Sequence, residues 1–225
     1  MKRKIIQTSD GSSTIYLEDL DEHYHSKHGA IQEAYHVFLQ SGFFPFLKEN
    51  KAKQVAVLEI GFGTGLNAFI TFLEAQKLGV DVLYEGVEAY PVSMDEINLL
   101  NYSEQLEAQN LHADFLKMHQ CEWETFQSIS ENFQLKKRKQ FFSEITDNTV
   151  FDIIYFDAFG ARVQPELWEV SIFQKMYDAL KPNGVLVTYS AKGSVRRAML
   201  EVGFLVEKLP GPPGKREMLR AVKKA

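Results

Sequence analysis

The sequence predicts an α/β fold: a mainly parallel sheet with helices on its faces, closing in an antiparallel hairpin. Three observations predict it. The apolar run Val55-Ala-Val-Leu-Glu-Ile60 ends in glycines at alternate positions, Gly61, Gly63 and Gly65, and passes directly into a helix-compatible segment. Two further apolar runs, at 80–88 and 151–157, each end in an acid, Glu88 and Asp157. Near the C-terminus, two short strand-like runs flank Pro210-Gly-Pro-Pro-Gly214, and strands joined by so short a turn must be antiparallel.

The elements follow in order. At 225 residues the chain can hold one α/β domain with a proper core and little beyond it. Residues 1–50 are expected to form an extension packed on that core, and 51–225 the domain itself. After the glycines, Leu66, Phe69, Ile70, Leu73 and Leu78 recur at helical spacing, which predicts a helix over 66–78. Strand, glycine turn and helix begin a βαβ unit whose tight turn lets backbone approach a ligand. The turn is not a dinucleotide fingerprint, because G-x-G-x-x-G would need a third glycine where Leu66 stands.

Glu88 lies about 20–25 residues past the last glycine, where an acid ending the second strand accepts hydrogen bonds from a ribose. The competing reading makes it the cap of a helix starting near Pro91. The stretch 103–132 is poorly patterned, and Phe133–Phe141 reads as a strand carrying Lys136-Lys-Arg-Lys139 as basic outward residues. Phe151–Phe159 is apolar enough for a central strand buried on both faces, and it delivers Asp157 at its carboxyl end, where open α/β sheets place ligands and catalytic groups.

Residues 166–180 read as one helix, with Leu167, Trp168, Ile172, Phe173, Met176 and Leu180 on one stripe. Lys181-Pro-Asn-Gly184 is a turn, Val185–Tyr189 a strand, and Ser194–Val202 a short helix stopped by Gly203. Phe204–Leu209 and Glu217–Val222 are the closing pair of strands.

Composition narrows the class. The start, Met-Lys-Arg-Lys-Ile-Ile, lacks the apolar core of a signal peptide, and no apolar run approaches membrane-spanning length. The single cysteine, Cys121, permits no internal disulfide, and no Cys/His spacing suggests zinc; His23, His25 and His28 read as surface or pocket residues. A reduced, cytoplasmic, metal-free protein is expected. The net charge of −5 argues against indiscriminate nucleic-acid binding, yet the charge is uneven, with nine basic residues against three acids from Ser190 onward. Clustering of one sign in one region is what contact with an RNA backbone requires. Lys192, Arg196, Arg197, Lys215 and Arg216 flank the expected mouth of the pocket, and a solvated, charge-mixed surface is the alternative for them.

The segment Glu59-Ile-Gly-Phe-Gly-Thr-Gly resembles the cofactor loop of S-adenosyl-L-methionine (SAM) methyltransferases, whose ligand has no pyrophosphate to cradle. Combined with Tyr24-His-Ser-Lys-His-Gly-Ala-Ile-Gln-Glu-Ala-Tyr-His, Tyr155-Phe-Asp-Ala-Phe159, Gln164-Pro-Glu-Leu-Trp168, Thr188-Tyr-Ser-Ala191, Ser194-Val-Arg-Arg197 and Lys215-Arg-Glu-Met218, the chain resembles the methyltransferase half of the bacterial tRNA wobble-uridine family MnmC from about Ser13 onward. The resemblance implies a class I SAM-dependent methyltransferase, Rossmann-like, with a mainly parallel seven-stranded sheet ending in an antiparallel hairpin. It implies methylation of 5-aminomethyl-2-thiouridine to 5-methylaminomethyl-2-thiouridine in the tRNA anticodon loop. Fused relatives carry a flavin oxidase that first removes a carboxymethyl group. This sequence has no G-x-G-x-x-G, so that activity is expected from a separate protein acting upstream.

Residue roles follow from the resemblance and from the chemistry. Methyl transfer from a sulfonium is an in-line displacement, so the enzyme chiefly holds an uncharged amine about 3 Å from the methyl carbon. Asp157 is placed to accept or orient the amine's proton and to touch the cofactor. Gly61, Gly63 and Gly65 admit the amino-acid end of SAM against backbone, with Glu59, Thr64 and Asn67 nearby and Glu33 reaching the same end. Glu88 serves the ribose. Adenine falls to backbone, Gln140 or the Phe141 face, because no acid follows the Phe133–Phe141 strand; Asp114 is an outside candidate. Phe159 stacks on the flipped base, as splayed loop bases do on aromatic side chains, or packs in the core. Two rival readings are a methyltransferase of a small molecule or protein and a polyamine aminopropyltransferase. A non-enzymatic nucleotide-binding scaffold would keep the glycines without needing Asp157.

Overall fold

The computed structural model describes residues 2–224. It opens on a small antiparallel sheet of β1 (Arg3–Gln7), β2 (Ser13–Leu17) and β3 (Glu22–His23). Helix α1 (Ala30–Ala34), a π-helical stretch (Tyr35–Phe43) and α2 (Phe44–Asn50) follow without a break. The π-helical stretch brings Gly42 so close to the main sheet that a Cβ there would lie 2.9 Å from the Val187 side chain, and it drives Phe38 against Tyr155 with ring centroids 5.1 Å apart.

The main sheet and its helices then alternate: β4 (Gln54–Ile60), α3 (Leu66–Leu78), β5 (Asp81–Val87), α4 (Met94–Ile97), α5 (Tyr102–Gln105), α6 (His112–Gln120), β6 (Gln127–Ser130), β7 (Phe133–Arg138), β8 (Phe151–Phe156), α7 (Val170–Ala179), β9 (Leu180–Thr188), α8 (Gly193–Glu201), β10 (Leu205–Pro210) and β11 (Glu217–Val222). The strand order is β10-β11-β9-β8-β4-β5-β7-β6. The five strands from β9 to β7 are parallel, and β11, β10 and β6 run antiparallel to their neighbours. The expected layout is present with one strand more than seven, since β6 arises inside the poorly patterned stretch.

Alternation along the central strands sorts two cores. Val55 and Val57 of β4, with Ile153 and Tyr155 of β8, face α3 and the N-terminal helices; Leu58, Ile60, Ile154 and Phe156 face α7 and α8. A strand covered on both faces is apolar at every position, which is why these runs showed no polar alternation. The chain winds outward from β4 in both directions, so the crevice falls between the carboxyl ends of β4 and β8, where the order reverses.

Several boundaries differ from the sequence reading. The helix expected over 166–180 is a 3₁₀ turn (Pro165–Trp168) followed by α7, with Glu169 extended between them. Trp168 is buried there and its indole N–H donates to the Phe159 carbonyl at 2.8 Å, which holds the first turn apart from the helix. The helix expected near Pro91 begins at Met94, where Ser93 and Glu96 form a capping box. The Pro-Asn-Gly turn bulges from within β9, where the register against β8 slips and Asn183 has φ 64°.

Of the basic cluster Lys136–Lys139, expected to face outward, Lys139 alone is exposed. Lys137 and Arg138 are buried. Lys137 donates to the His119 carbonyl and lies over the Trp123 ring, 4.8 Å from its centroid. Arg138 pairs with Asp147 at 2.7 Å and Glu85 at 3.3 Å, and Lys136 with Glu85 at 3.3 Å. Strand β6 covers the outer edge of β7 and α6 packs nearby, so cationic side chains that would point to solvent on an edge strand are enclosed and paired.

Candidate active site

A cavity of about 460 Å³ lies at the carboxyl ends of β4, β5 and β8. Gly61, Phe62, Gly63 and Thr64 of the glycine turn line it, whereas Gly65, expected at the ligand, faces His119 outside the lining. Gly61, Gly63 and Gly65 all have positive φ, at 91°, 48° and 72°, a region that L side chains enter only under strain. The amides of Gly61 and Phe62 both donate to the Val87 carbonyl at 3.0 Å, tying the turn to the end of β5. A Cβ on Gly61 would stand 2.7 Å from the Asp157 carbonyl oxygen, so glycine there lets the two strand ends close.

The partners of Glu88 rule out one of its two readings. Its carboxylate accepts the Gly63 N–H at 3.0 Å and the Tyr90 N–H at 2.9 Å, and it lines the cavity. It is not the cap of α4. Burial pushes its carboxyl up, against the pull of those backbone bonds. Glu88→Ala is therefore expected to weaken SAM binding by about 1.5–3 kcal/mol, the loss of hydrogen bonds to a charged acceptor. Titration calorimetry showing undiminished affinity would remove Glu88 from the ligand site.

Asn67, in the first turn of α3, links two acids. Its Nδ2 donates to Glu59 Oε1 and to Asp157 Oδ2, both at 2.9 Å. Its Oδ1 is buried and meets no partner among the described residues. Glu59 is fully buried and its second oxygen accepts the Tyr84 hydroxyl at 2.9 Å. Burial, reinforced by Asp157, holds the Glu59 carboxyl well above its usual range. Asp157 lines the cavity, and its carboxyl is pushed up to about 7 by burial first, then by the charge of Glu33; the Asn67 bond and Lys215 pull it back.

The cavity fits SAM: a glycine turn whose positive φ angles keep side chains out of it, an acid at the end of β5, and a buried Asn67 oxygen that meets no partner among the described residues.

Comparison with known proteins agrees. Residues 103–224 match the model of a family described as S-adenosyl-L-methionine-dependent methyltransferase. The chain belongs to that family.

Two curated relatives bear the name tRNA 5-methylaminomethyl-2-thiouridine biosynthesis bifunctional protein MnmC. The one from Polaromonas naphthalenivorans is 29% identical over 98% of this chain and 36% of its own length. The one from Paracidovorax citrulli is 32% identical over 89% of this chain and 32% of its own. The methyltransferase chain thus spans about a third of these relatives. The crystal structure of MNMC2 from Aquifex aeolicus is 26% identical with TM-score 0.78, covering all of this chain and 71% of that one. The spermidine synthase of Thermotoga maritima, 16% identical with TM-score 0.53 over 99% of this chain and 72% of its own, shares the fold.

The remaining site residues of the methyltransferase divide by location. Gly61, Gly63, Thr64, Asn67, Glu88, Phe141, Asp157 and Phe159 line the cavity. Glu59 lies behind the wall and meets the site through Asn67. Gln140 is half-buried outside the cavity, with an Nε2 that meets no partner among the described residues, and Phe141 stands beside Tyr90 with ring centroids 6.0 Å apart. Asp114 lies on α6 and is not among the lining residues. Glu33 and Lys215 pair with each other outside the cavity. Lys192, Arg196, Arg197 and Arg216 do not line it; they sit at the start of α8 and in the hairpin turn.

Sequence reading missed part of the wall. Tyr24 stacks edge-on to Phe159 at 5.1 Å, and burial pushes its hydroxyl up to about 12, so it stays neutral. His25, read as a surface or pocket residue, does line the cavity, near the Thr64 hydroxyl at 3.4 Å, and burial lowers it to about 4. Arg3 donates to Glu96 at 3.0 Å and to the Tyr90 carbonyl at 3.1 Å, clamping β1 over the loop after β5. Tyr24 opens the motif quoted above, which is the signal that could have placed it; no local pattern marks Arg3.

Proposed function

We propose that this methyltransferase methylates the primary amine of 5-aminomethyl-2-thiouridine at the tRNA wobble position, giving 5-methylaminomethyl-2-thiouridine. The observation that carries it is Asp157, an acid that burial holds near neutrality at the floor of a cavity walled by Phe159 and Tyr24. The names of the MnmC relatives support the substrate.

SAM supplies an electrophilic methyl group on a sulfonium. Its site is expected between the glycine turn, Glu88 and Asn67. Phe159 and Tyr24 offer flat apolar surface for the base, as aromatic side chains do for splayed loop nucleotides. An alkylammonium titrates near the range of lysine, so it must lose a proton before it can attack. Asp157, titrating near 7, is ionised above that pH and accepts this proton. A bound SAM would give its methyl carbon to the amine nitrogen as its sulfur–carbon bond breaks, leaving neutral S-adenosylhomocysteine and a secondary ammonium that carries the positive charge.

Nucleoside analysis of undermodified tRNA incubated with the protein and SAM tests the reading. A methylated aminomethyl-thiouridine is the expected product; methylation confined to free small amines would refute the substrate. Arg196→Ala with Arg197→Ala is expected to weaken tRNA binding and flatten its salt dependence by up to about two in log–log slope, leaving SAM affinity alone. Unchanged salt dependence would place these residues off the RNA path.

A further inference from the structure

Glu33 and Lys215 come from opposite ends of the chain, 182 residues apart, and pair with each other. Glu33 stands on α1 and Lys215 in the turn between β10 and β11. Their salt bridge is largely enclosed, with the two side chains 10% and 33% exposed. The second Glu33 oxygen accepts the Ser26 N–H at 2.8 Å. Lys215 also lies over Tyr189, 3.8 Å from the ring centroid. The Tyr189 hydroxyl donates to the Ala158 carbonyl at 2.8 Å, one residue from Asp157 and one from Phe159. A pair joined only at the surface contributes little. This one is anchored on both sides and reaches the turn that presents the acid and the aromatic ring.

We propose that Glu33, Lys215 and Tyr189 are positioning residues of the methyltransferase: the ion pair sets the ionisation of Asp157, and Tyr189 holds its turn. None of the three lines the cavity. The inference rests on Asp157 acting on the amine as proposed above. The groups around Asp157 are Glu33 from α1, Lys215 from the hairpin turn, Glu59 from β4, Tyr84 from β5, Tyr189 after β9, and Asn67 from α3. The two tyrosines are kept neutral by burial. Glu33 and Glu59 oppose the charge on Asp157, whereas Lys215 and the Asn67 amide favour it.

The two members of the pair therefore act on Asp157 with opposite signs, and this separates tuning from simple bracing. Lys215→Met leaves Glu33 unopposed, so the titration midpoint of Asp157 should rise by about one pH unit. Glu33→Gln removes the opposing charge, so the midpoint should fall by a similar amount. Lys215→Arg should restore the wild-type midpoint. Tyr189→Phe should lower kcat about tenfold while KM for SAM and the midpoint stay as in the wild type.

The midpoint is read by carboxyl-carbon NMR on protein enriched in ¹³C-aspartate, with the signal assigned by its loss in Asp157→Asn. No tRNA is needed. Midpoints that move the same way in both charge variants, or that do not move, overturn the proposal. If Lys215→Met does not fold, an unmoved midpoint in Glu33→Gln overturns it alone. Split midpoints in a protein that leaves aminomethyl-thiouridine tRNA unmethylated uphold the tuning and refute the substrate. Methylation with unmoved midpoints does the reverse.

Discussion

Asp157→Asn is expected to cut turnover about 100-fold or more on aminomethyl-thiouridine tRNA, the range expected for loss of an acid–base group. Asparagine keeps the shape and can still meet Asn67, but it cannot accept the ammonium proton. Wild-type activity should climb as pH rises through about 7, because Asp157 is pushed up to that value and acts only when ionised. The variant should lose that step and recover partly at higher pH, where free amine is supplied by the solvent. Stability must move the other way. A carboxyl whose folded pKa is raised stabilises the fold below its unfolded value, near 3.8, and that contribution is lost as pH rises through the folded value. Asp157→Asn should therefore melt above the wild type at pH 8, and the gap should close toward pH 4. Stopped-flow or single-turnover assays across pH, paired with melting curves, check both halves. Full activity in the variant would end the catalytic assignment.

Gly63→Val is expected to lower SAM affinity at least about 100-fold, since it combines backbone strain with lost ligand space. Gly63 has φ 48°, its N–H is the one that Glu88 holds, and a Cβ there would stand 3.0 Å from the Tyr24 ring. A β-branched residue must either shift Tyr24 or pull the amide from Glu88, and both disturb the cavity. Gly79→Ala is the control: φ is 62° but no atom lies within 4 Å of the added carbon, so only the strain of the turn is tested. Calorimetry should show SAM binding retained in Gly79→Ala and lost in Gly63→Val, with circular dichroism reporting a folded protein in both. Wild-type affinity in folded Gly63→Val would break the glycine-turn assignment.

Much of this was open to reading along the chain. The strands β4, β5 and β8 announced themselves because a strand buried on both faces needs an unbroken apolar run, and α3 because its apolar residues recur at helical spacing. The glycine turn, Glu88 and Asp157 follow those strands directly, so the strand ends carried them into one cavity. The split at Glu169 was hidden because Trp168 and Ile172 keep helical spacing across it; the break is made by a hydrogen bond to Phe159.

Sequence alone determined the parallel sheet, its closing hairpin and the acids at the carboxyl ends of its strands, because backbone periodicity and turn chemistry act over a few residues. Tertiary structure decided what those acids touch. Glu59 reads as a residue of the cofactor site until Asn67 and Tyr84 enclose it behind the wall. Lys137 and Arg138 read as outward cations until β6 and α6 cover them. Glu33 and Lys215 read as separate ligand contacts until the two ends of the chain fold together around Asp157. Charge and burial are sums over neighbours in space, and those neighbours are drawn from strands and turns far apart in the chain.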